Sequence, residues 1–178
     1  MIVDLKSIPR EGARKFKFTL NKEWWQPDME NDQVLGLNTP LKVTINIYRA
    51  GDRYVLEGTL DGSMDVMCDR CLEPYHRELR PEFRLFLSLP PSDKEKAEIE
   101  LLEEDMEVGF INGEEIDLGD VIREQLFLSL PIKSLCREEC LGLCPKCGNN
   151  LNDGDCGCEK ENLHPALSKL KRFKIEGE

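Results

Sequence analysis

From residue 41 the chain alternates. Leu41, Val43, Ile45 and Ile47 are separated by Lys42, Thr44, Asn46 and Tyr48, the two-residue period of a strand with one buried face. A turn is expected at Gly51-Asp52, and Tyr54, Leu56 and Leu60 continue on one side of a second strand. Asp61-Gly62 then reads as a hairpin, after which Met64, Val66 and Cys68 share a face and lead into Cys68-Asp69-Arg70-Cys71. Phe83, Leu85, Leu87 and Leu89 alternate again, with Pro81 placed at a bulge or a sheet edge. Antiparallel sheet is the economical arrangement of these segments.

Pro90-Pro91 ends that run, and Asp93 to Glu107 carries eight acids against Lys94 and Lys96, the composition of a solvated loop or exposed helix. Asn112-Gly113, between apolar residues in 108–117, predicts a further β-ribbon. Asp117 can cap a helix from Leu118 to about Leu130, whose Leu118, Val121, Ile122, Gln125 and Leu126 follow helical spacing and which Pro131 ends. A short terminal helix is expected from Pro165, with Leu167 and Leu170 on one side. The predicted fold is therefore mainly β, α+β overall. An antiparallel or barrel-like body with one packed helix fills residues 1–135, and a cysteine-rich segment with a terminal helix fills 136–178.

Composition narrows the chemistry. The 178 residues suffice for one ordinary domain with a small appendage. Asp4 and Lys6 interrupt the first ten residues, and no apolar run approaches the ~20 residues of a membrane span, so a cytoplasmic chain with no membrane contact is expected. In that reducing setting, eight cysteines favour metal thiolates over disulfides. The formal charge is −11, so a broad nucleic-acid-binding face is not evident; a local basic site, or basic proteins as partners, fits such a chain.

Cys144-Pro145-Lys146-Cys147-Gly148 has the form of a zinc knuckle, and Cys156 and Cys158 follow after an eight-residue gap. Four sulfurs within fifteen residues can close a tetrahedron, so Cys144, Cys147, Cys156 and Cys158 are the first-choice metal ligands. Cys136 and Cys140, spaced as on a helical turn, need two more ligands. Cys68 and Cys71 can supply them as a second site; alternatively Cys136, Cys140, Cys144 and Cys147 share one ion. One zinc is expected, with a second where the remaining thiols meet.

Catalysis finds little support. His76 and His164 are the two histidines and neither lies in a zinc-protease pattern, and nucleophile elbows and phosphate-cradling glycine loops are absent from the sequence. No small-molecule substrate is expected. The rival from another class is a redox-regulated zinc chaperone, a holdase combining CxxC with CxC, although there the CxC comes first.

Three segments together resemble one family: Cys68 to Tyr75 (CDRCLEPY), Glu115 to Cys136 (EIDLGDVIREQLFLSLPIKSLC) and Cys140 to Asn152 (CLGLCPKCGNNLN). In order and spacing they are similar to the YceD-like family of bacterial and plastid large-subunit ribosomal RNA accumulation proteins. The resemblance implies a non-enzymatic role in synthesis, processing or stability of that RNA, hence in large-subunit ribosome biogenesis, with pre-ribosomal RNA, ribosomal proteins or both as partners. His164-Pro165-Ala166 stands where many relatives carry Asp-Pro-Arg. For direct RNA contact the expected patch is Lys169, Lys171, Arg172 and Lys174, with Arg70 and Lys146 as additions; ordinary solvated charge is the competing explanation.

Overall fold

A computed structural model describes residues 1–26, 33–51, 53–88, 108–111 and 113–158. Nine strands, one α-helix and two single-turn 3-10 helices (Leu5–Ser7 and Lys22–Trp24) occupy them: β1 (Ile2–Asp4), β2 (Ala13–Leu20), β3 (Val34–Leu37), β4 (Leu41–Ala50), β5 (Arg53–Met67), β6 (Pro74–Leu79), β7 (Glu82–Ser88), β8 (Val108–Phe110), β9 (Glu115–Asp117) and α1 (Leu118–Ser129). The expected terminal helix, the acidic stretch from Asp93 to Glu107, His164 and Asn112 lie outside the described residues.

β4 forms as its alternation requires. Leu41, Val43, Ile45 and Ile47 are all at most 1 % exposed, and each such aliphatic side chain contributes about 1.5–3 kcal/mol on burial. Leu56, Leu60, Met64 and Val66 of β5 join them, with Leu118, Val121, Ile122 and Leu126 of α1. The helix starts where predicted, since the Asp117 carboxylate accepts the Gly119 N–H at 2.7 Å. Val3, Leu5, Ile8 and Trp25 complete this core from the segment before the first expected strand.

The expected hairpin at Asp61-Gly62 is not there. β5 runs unbroken for 15 residues and is the spine of a seven-stranded sheet. Its first part lies between β4 (Ala50↔Arg53 to Lys42↔Asp61) and β7 (Tyr54↔Leu87 to Thr59↔Glu82). Its second part lies between β3 (Leu37↔Met64, Val34↔Val66) and β6 (Gly62↔Leu79 to Met67↔Pro74). Gly62 stands where the partners change, and a Cβ there would lie 3.3 Å from the Leu41 Cα. The missing side chain serves close strand approach, not a turn.

The ribbon expected within 108–117 is also replaced by something else. β8 adds to β7 in parallel, the one exception to antiparallel pairing among the described strands, while β9 pairs with β1 (Val3↔Ile116). Gly113, at φ +103°, supplies a turn, but a turn does not dictate that its flanks pair. Val3 and Ile116 bury their side chains in the core, and this draws the two short strands together.

Candidate metal centres

The end of β5 delivers Cys68 into the turn that leads to β6, and Leu130 to Cys144 passes alongside it. Asp69 N–H donates to the Ser134 carbonyl at 2.8 Å, and Ser134 N–H returns a bond to the Asp69 carboxylate at 2.6 Å. Arg70 donates to the Cys140 carbonyl at 2.8 Å, and its own carbonyl accepts the Leu143 N–H at 3.2 Å. These bonds bring Cys68, Cys71, Cys136 and Cys140 together with every sulfur within 4.8 Å of the others. Cys136 and Cys140 are joined by a non-helical turn, closed by Cys140 N–H on the Arg137 carbonyl, so their four-residue spacing is not that of a helix.

A second cluster gathers Cys144, Cys147, Cys156 and Cys158, again within 4.8 Å. The eight thiols thus divide four and four, and the alternative grouping of Cys136, Cys140, Cys144 and Cys147 is not the one the chain adopts. The clusters differ in depth: Cys68, Cys71 and Cys140 are at most 3 % exposed, whereas Cys147 is exposed and Cys156 and Cys158 are half-buried.

The spacing of the sulfurs suits one ion per cluster. Cys68 and Cys140 Sγ lie 3.8 Å apart, as do Cys71 and Cys136 Sγ. A tetrahedron with metal–sulfur arms of about 2.3 Å has edges of ~3.8 Å. Electrostatics agree with that reading. Burial pushes the Cys68 thiol up, but the N–H groups of Cys136, Cys71 and Arg70 aimed at it prevail and bring it to about 6. Cys71 is pushed up to about 12, by burial first and by its three neighbouring thiols. In the second cluster the N–H groups of Cys147 and Lys146 lower Cys144 to about 6, while hydrogen bonding with Cys147 and Cys156 pushes Cys158 up to about 12. One thiolate forms easily and the last resists, because four negative sulfurs cannot share so small a space without a cation.

The two CxxC turns have the same backbone. Leu72 N–H bonds to the Cys68 carbonyl and Gly148 N–H to the Cys144 carbonyl, both at 2.9 Å, and both residues are left-handed, at φ +57° and +76°. Glycine suits that conformation; a leucine there costs about 1–2 kcal/mol. Because Leu72 is 57 % exposed, its side chain recovers little by burial. Leu72→Gly is therefore expected to raise stability by up to about 1 kcal/mol, allowing for the greater freedom of glycine in the unfolded chain. Urea denaturation checks this, and a loss of stability would show that the leucine packs usefully.

Asn152 links the clusters and is not evident from sequence. Lying between Cys147 and Cys156, it donates to the Cys140 sulfur at 3.3 Å and accepts from Leu141 N–H at 2.9 Å and Arg137 at 2.7 Å. Its contact with Cys140 is the leading cause that lowers that thiol. A polar residue in a turn-rich loop carries no signal of this role. Among the other sequence candidates, Arg70 is committed to backbone carbonyls and Lys146 is not a free cation. His76 lies on β6, largely exposed, with its Nδ1 hydrogen-bonded to the Asp65 carboxylate. Lys169, Lys171, Arg172 and Lys174 lie outside the described residues.

No described helix is long and apolar enough to cross a membrane. Residues 56–174 match the family model described as large ribosomal RNA subunit accumulation protein YceD, a span that includes all eight cysteines. The chain is 28 % identical over 156 residues to the maize protein named large ribosomal RNA subunit accumulation protein YCED homolog 1, chloroplastic, covering 75 % of this chain and 53 % of that one. The Arabidopsis thaliana homolog of that name is 28 % identical over 153 residues, covering 74 % and 48 %. An uncharacterised protein of Mycobacterium tuberculosis is 32 % identical over 130 residues, covering 73 % and 60 %. The chain spans about half the length of the plant relatives. No solved structure matches it. With the family model covering well over half of the residues and the long motif from Glu115 into the cysteine clusters inside it, the chain belongs to the YceD family of large ribosomal RNA subunit accumulation proteins.

Proposed function

We propose that this protein is a non-enzymatic, cytoplasmic factor that supports accumulation of large-subunit ribosomal RNA and assembly of the large ribosomal subunit, by binding the precursor RNA, ribosomal proteins or both. The observation that carries the proposal is the family match over residues 56–174. Zinc is the ion we assign to both thiolate clusters, since four sulfurs on tetrahedral edges suit it. With all four positions taken by protein sulfur, such an ion would cross-link the chain and would offer no open site for a reacting water. Cys68, Cys71, Cys136 and Cys140 would hold one ion, and Cys144, Cys147, Cys156 and Cys158 the other.

The test is depletion in a bacterial cell that makes the protein, followed by sucrose-gradient profiling. A deficit of free and assembled large subunits, restored by the wild-type chain, is expected. Normal profiles, with holdase activity appearing after peroxide treatment, would replace this reading with the redox one; Cys147 is the exposed thiol through which oxidation would begin.

A further inference from the structure

β2 is an edge of the seven-stranded sheet, and its eight residues hold three cations and no acid in a chain of net charge −11. Its register on β4 sorts the side chains. Phe16, Phe18 and Leu20 lie opposite Ile45, Val43 and Leu41 and turn inward. Lys15, Lys17 and Thr19 lie opposite Asn46, Thr44 and Lys42 and share the outer face. Lys15, Lys17 and Lys42 are exposed and make no ion pair among the described residues. Arg14, at the strand edge, is held by a 2.6 Å bond to the Ser7 hydroxyl and lies over the Phe16 ring.

Two of the acids near this row have cationic partners of their own, Arg80 being shared with Glu78. Glu57 on β5 is bonded to Arg84 at 2.7 Å and to the Tyr48 hydroxyl at 3.1 Å, and Asp61, opposite Lys42, pairs with Arg80. Glu82 faces the same side from β7, three strands from β2, a distance of roughly 14 Å. On the β5 and β7 side the sheet carries an open hollow of about 440 Å³, lined by Thr44, Asn46 and Thr59 and also by Glu57, Glu82 and Arg84, so its far wall is acidic and the lysines flank it without entering. Thr44 and Asn46 are the cross-strand partners of Lys17 and Lys15, so hydroxyl and amide donors lie next to ammonium groups that have no ion-pair partner among the described residues.

We propose that the outer face of β2 and β4, through Lys15, Lys17 and Lys42 with Thr44 and Asn46 between them, takes the phosphate backbone of RNA. The inference rests on the ribosomal-RNA reading of the preceding section and gives it a surface. Lysines in a row release counterions from a polyanion, and small polar residues between them accept sugars and phosphates without imposing a base sequence. Lysines on an edge strand also deter strand-to-strand aggregation. That explanation accounts for Lys15 and Lys17, but Lys42 lies on an interior strand.

The experiment uses the full chain carrying Lys15→Gln, Lys17→Gln and Lys42→Gln, with a second variant carrying arginine at the same positions. Fluorescence anisotropy is read with a transcribed fragment of large-subunit ribosomal RNA, with a DNA duplex of equal length and with polyglutamate, across a salt series. The glutamine variant is expected to lose about tenfold or more in RNA affinity, and its log–log salt slope to become shallower by about 2, with an unchanged thermal melt. The arginine variant should bind as the wild type does. Equal RNA binding by wild-type and glutamine chains overturns the proposal, as does preference of the wild type for polyglutamate or for duplex DNA. So does a glutamine variant that aggregates while its soluble fraction keeps full RNA affinity. If glutamine substitution leaves binding intact while depletion still removes large subunits, the surface fails alone; lysine-dependent RNA binding beside normal gradients sinks only the assembly role.

Discussion

Replacing Cys68 and Cys140 with serine is expected to lower the unfolding midpoint of the metal-loaded chain by about 10 °C or more, whereas replacing Cys144 and Cys147 shifts it by only a few degrees. The asymmetry comes from what each cluster joins. Around the first, Asp69 exchanges bonds with Ser134, Arg70 with Cys140 and Leu143, and Cys136 N–H points to the Cys68 sulfur, so the body and the cysteine-rich segment are bonded across it. The second is closed by its own neighbourhood: Cys144 N–H on the Asn149 carbonyl, Gly148 N–H on the Cys144 carbonyl, and Leu151 N–H on the Gly142 carbonyl. Cys68 and Cys140 are also buried, at 0 % and 3 % exposure, so serine at both positions places two hydroxyls in the interior without the metal that tied the segments. A structural metal contributes its binding energy to folding only for the parts it connects. Thermal melts followed by circular dichroism, with mapping of proteolytic cuts, read the difference. Loss of the second cluster should open cuts beyond Cys144 while the sheet persists. Equal shifts for both pairs, or melts insensitive to chelation in the wild type, would remove the claim that the first cluster joins the two parts.

Gly142→Ala is expected to cost about 2–4 kcal/mol, well above the about 1–2 kcal/mol expected for Gly148→Ala. Both glycines are left-handed, at φ +74° and +76°, so the conformational cost is common to both. The surroundings are not. A Cβ at Gly142 would stand 2.9 Å from the Arg70 carbonyl oxygen, a backbone atom that cannot swing aside, while nothing lies within 4 Å at Gly148. Relieving the clash would separate Gly142 from Arg70 and lengthen both bonds that Arg70 makes to this segment, from its side chain to the Cys140 carbonyl and from Leu143 N–H to its carbonyl. Denaturant midpoints of the two variants measure the contact with the conformational cost cancelled. Equal losses would show that the approach of Gly142 to Arg70 contributes nothing.

Where the pattern of the sequence is local and periodic, the structure follows it. The alternation from Leu41 fixes β4, and the spacing of Leu118, Val121, Ile122, Gln125 and Leu126 fixes the buried side of α1 down to its Asp117 cap. Asp61-Gly62 and Asn112-Gly113 mislead for a shared reason: each dipeptide permits a turn, and what decides is whether the flanking residues have better partners elsewhere. β5 finds β4 and β7 on one stretch and β3 and β6 on the next, so turning back at Gly62 would forfeit pairing on both sides. The amino-terminal strands are half-legible. Phe16, Phe18 and Leu20 alternate with Lys15, Lys17 and Thr19, yet β1 is three residues long and has meaning only beside β9.

The sequence by itself determined the chemistry of the sulfurs, because CxxC and CxC spacings constrain which thiols can reach one point through a short turn. It also determined the family and the residues of the central helix, both of which are written in consecutive or periodic positions. Only the tertiary structure decided how the eight cysteines divide, since the meeting of Cys68 and Cys71 with Cys136 and Cys140 depends on two segments more than sixty residues apart being laid side by side by the sheet and by the Asp69–Ser134 and Arg70–Cys140 bonds. It decided likewise that three lysines from two strands face outward together. Register between strands is a property of backbone pairing, and no spacing along the chain encodes it.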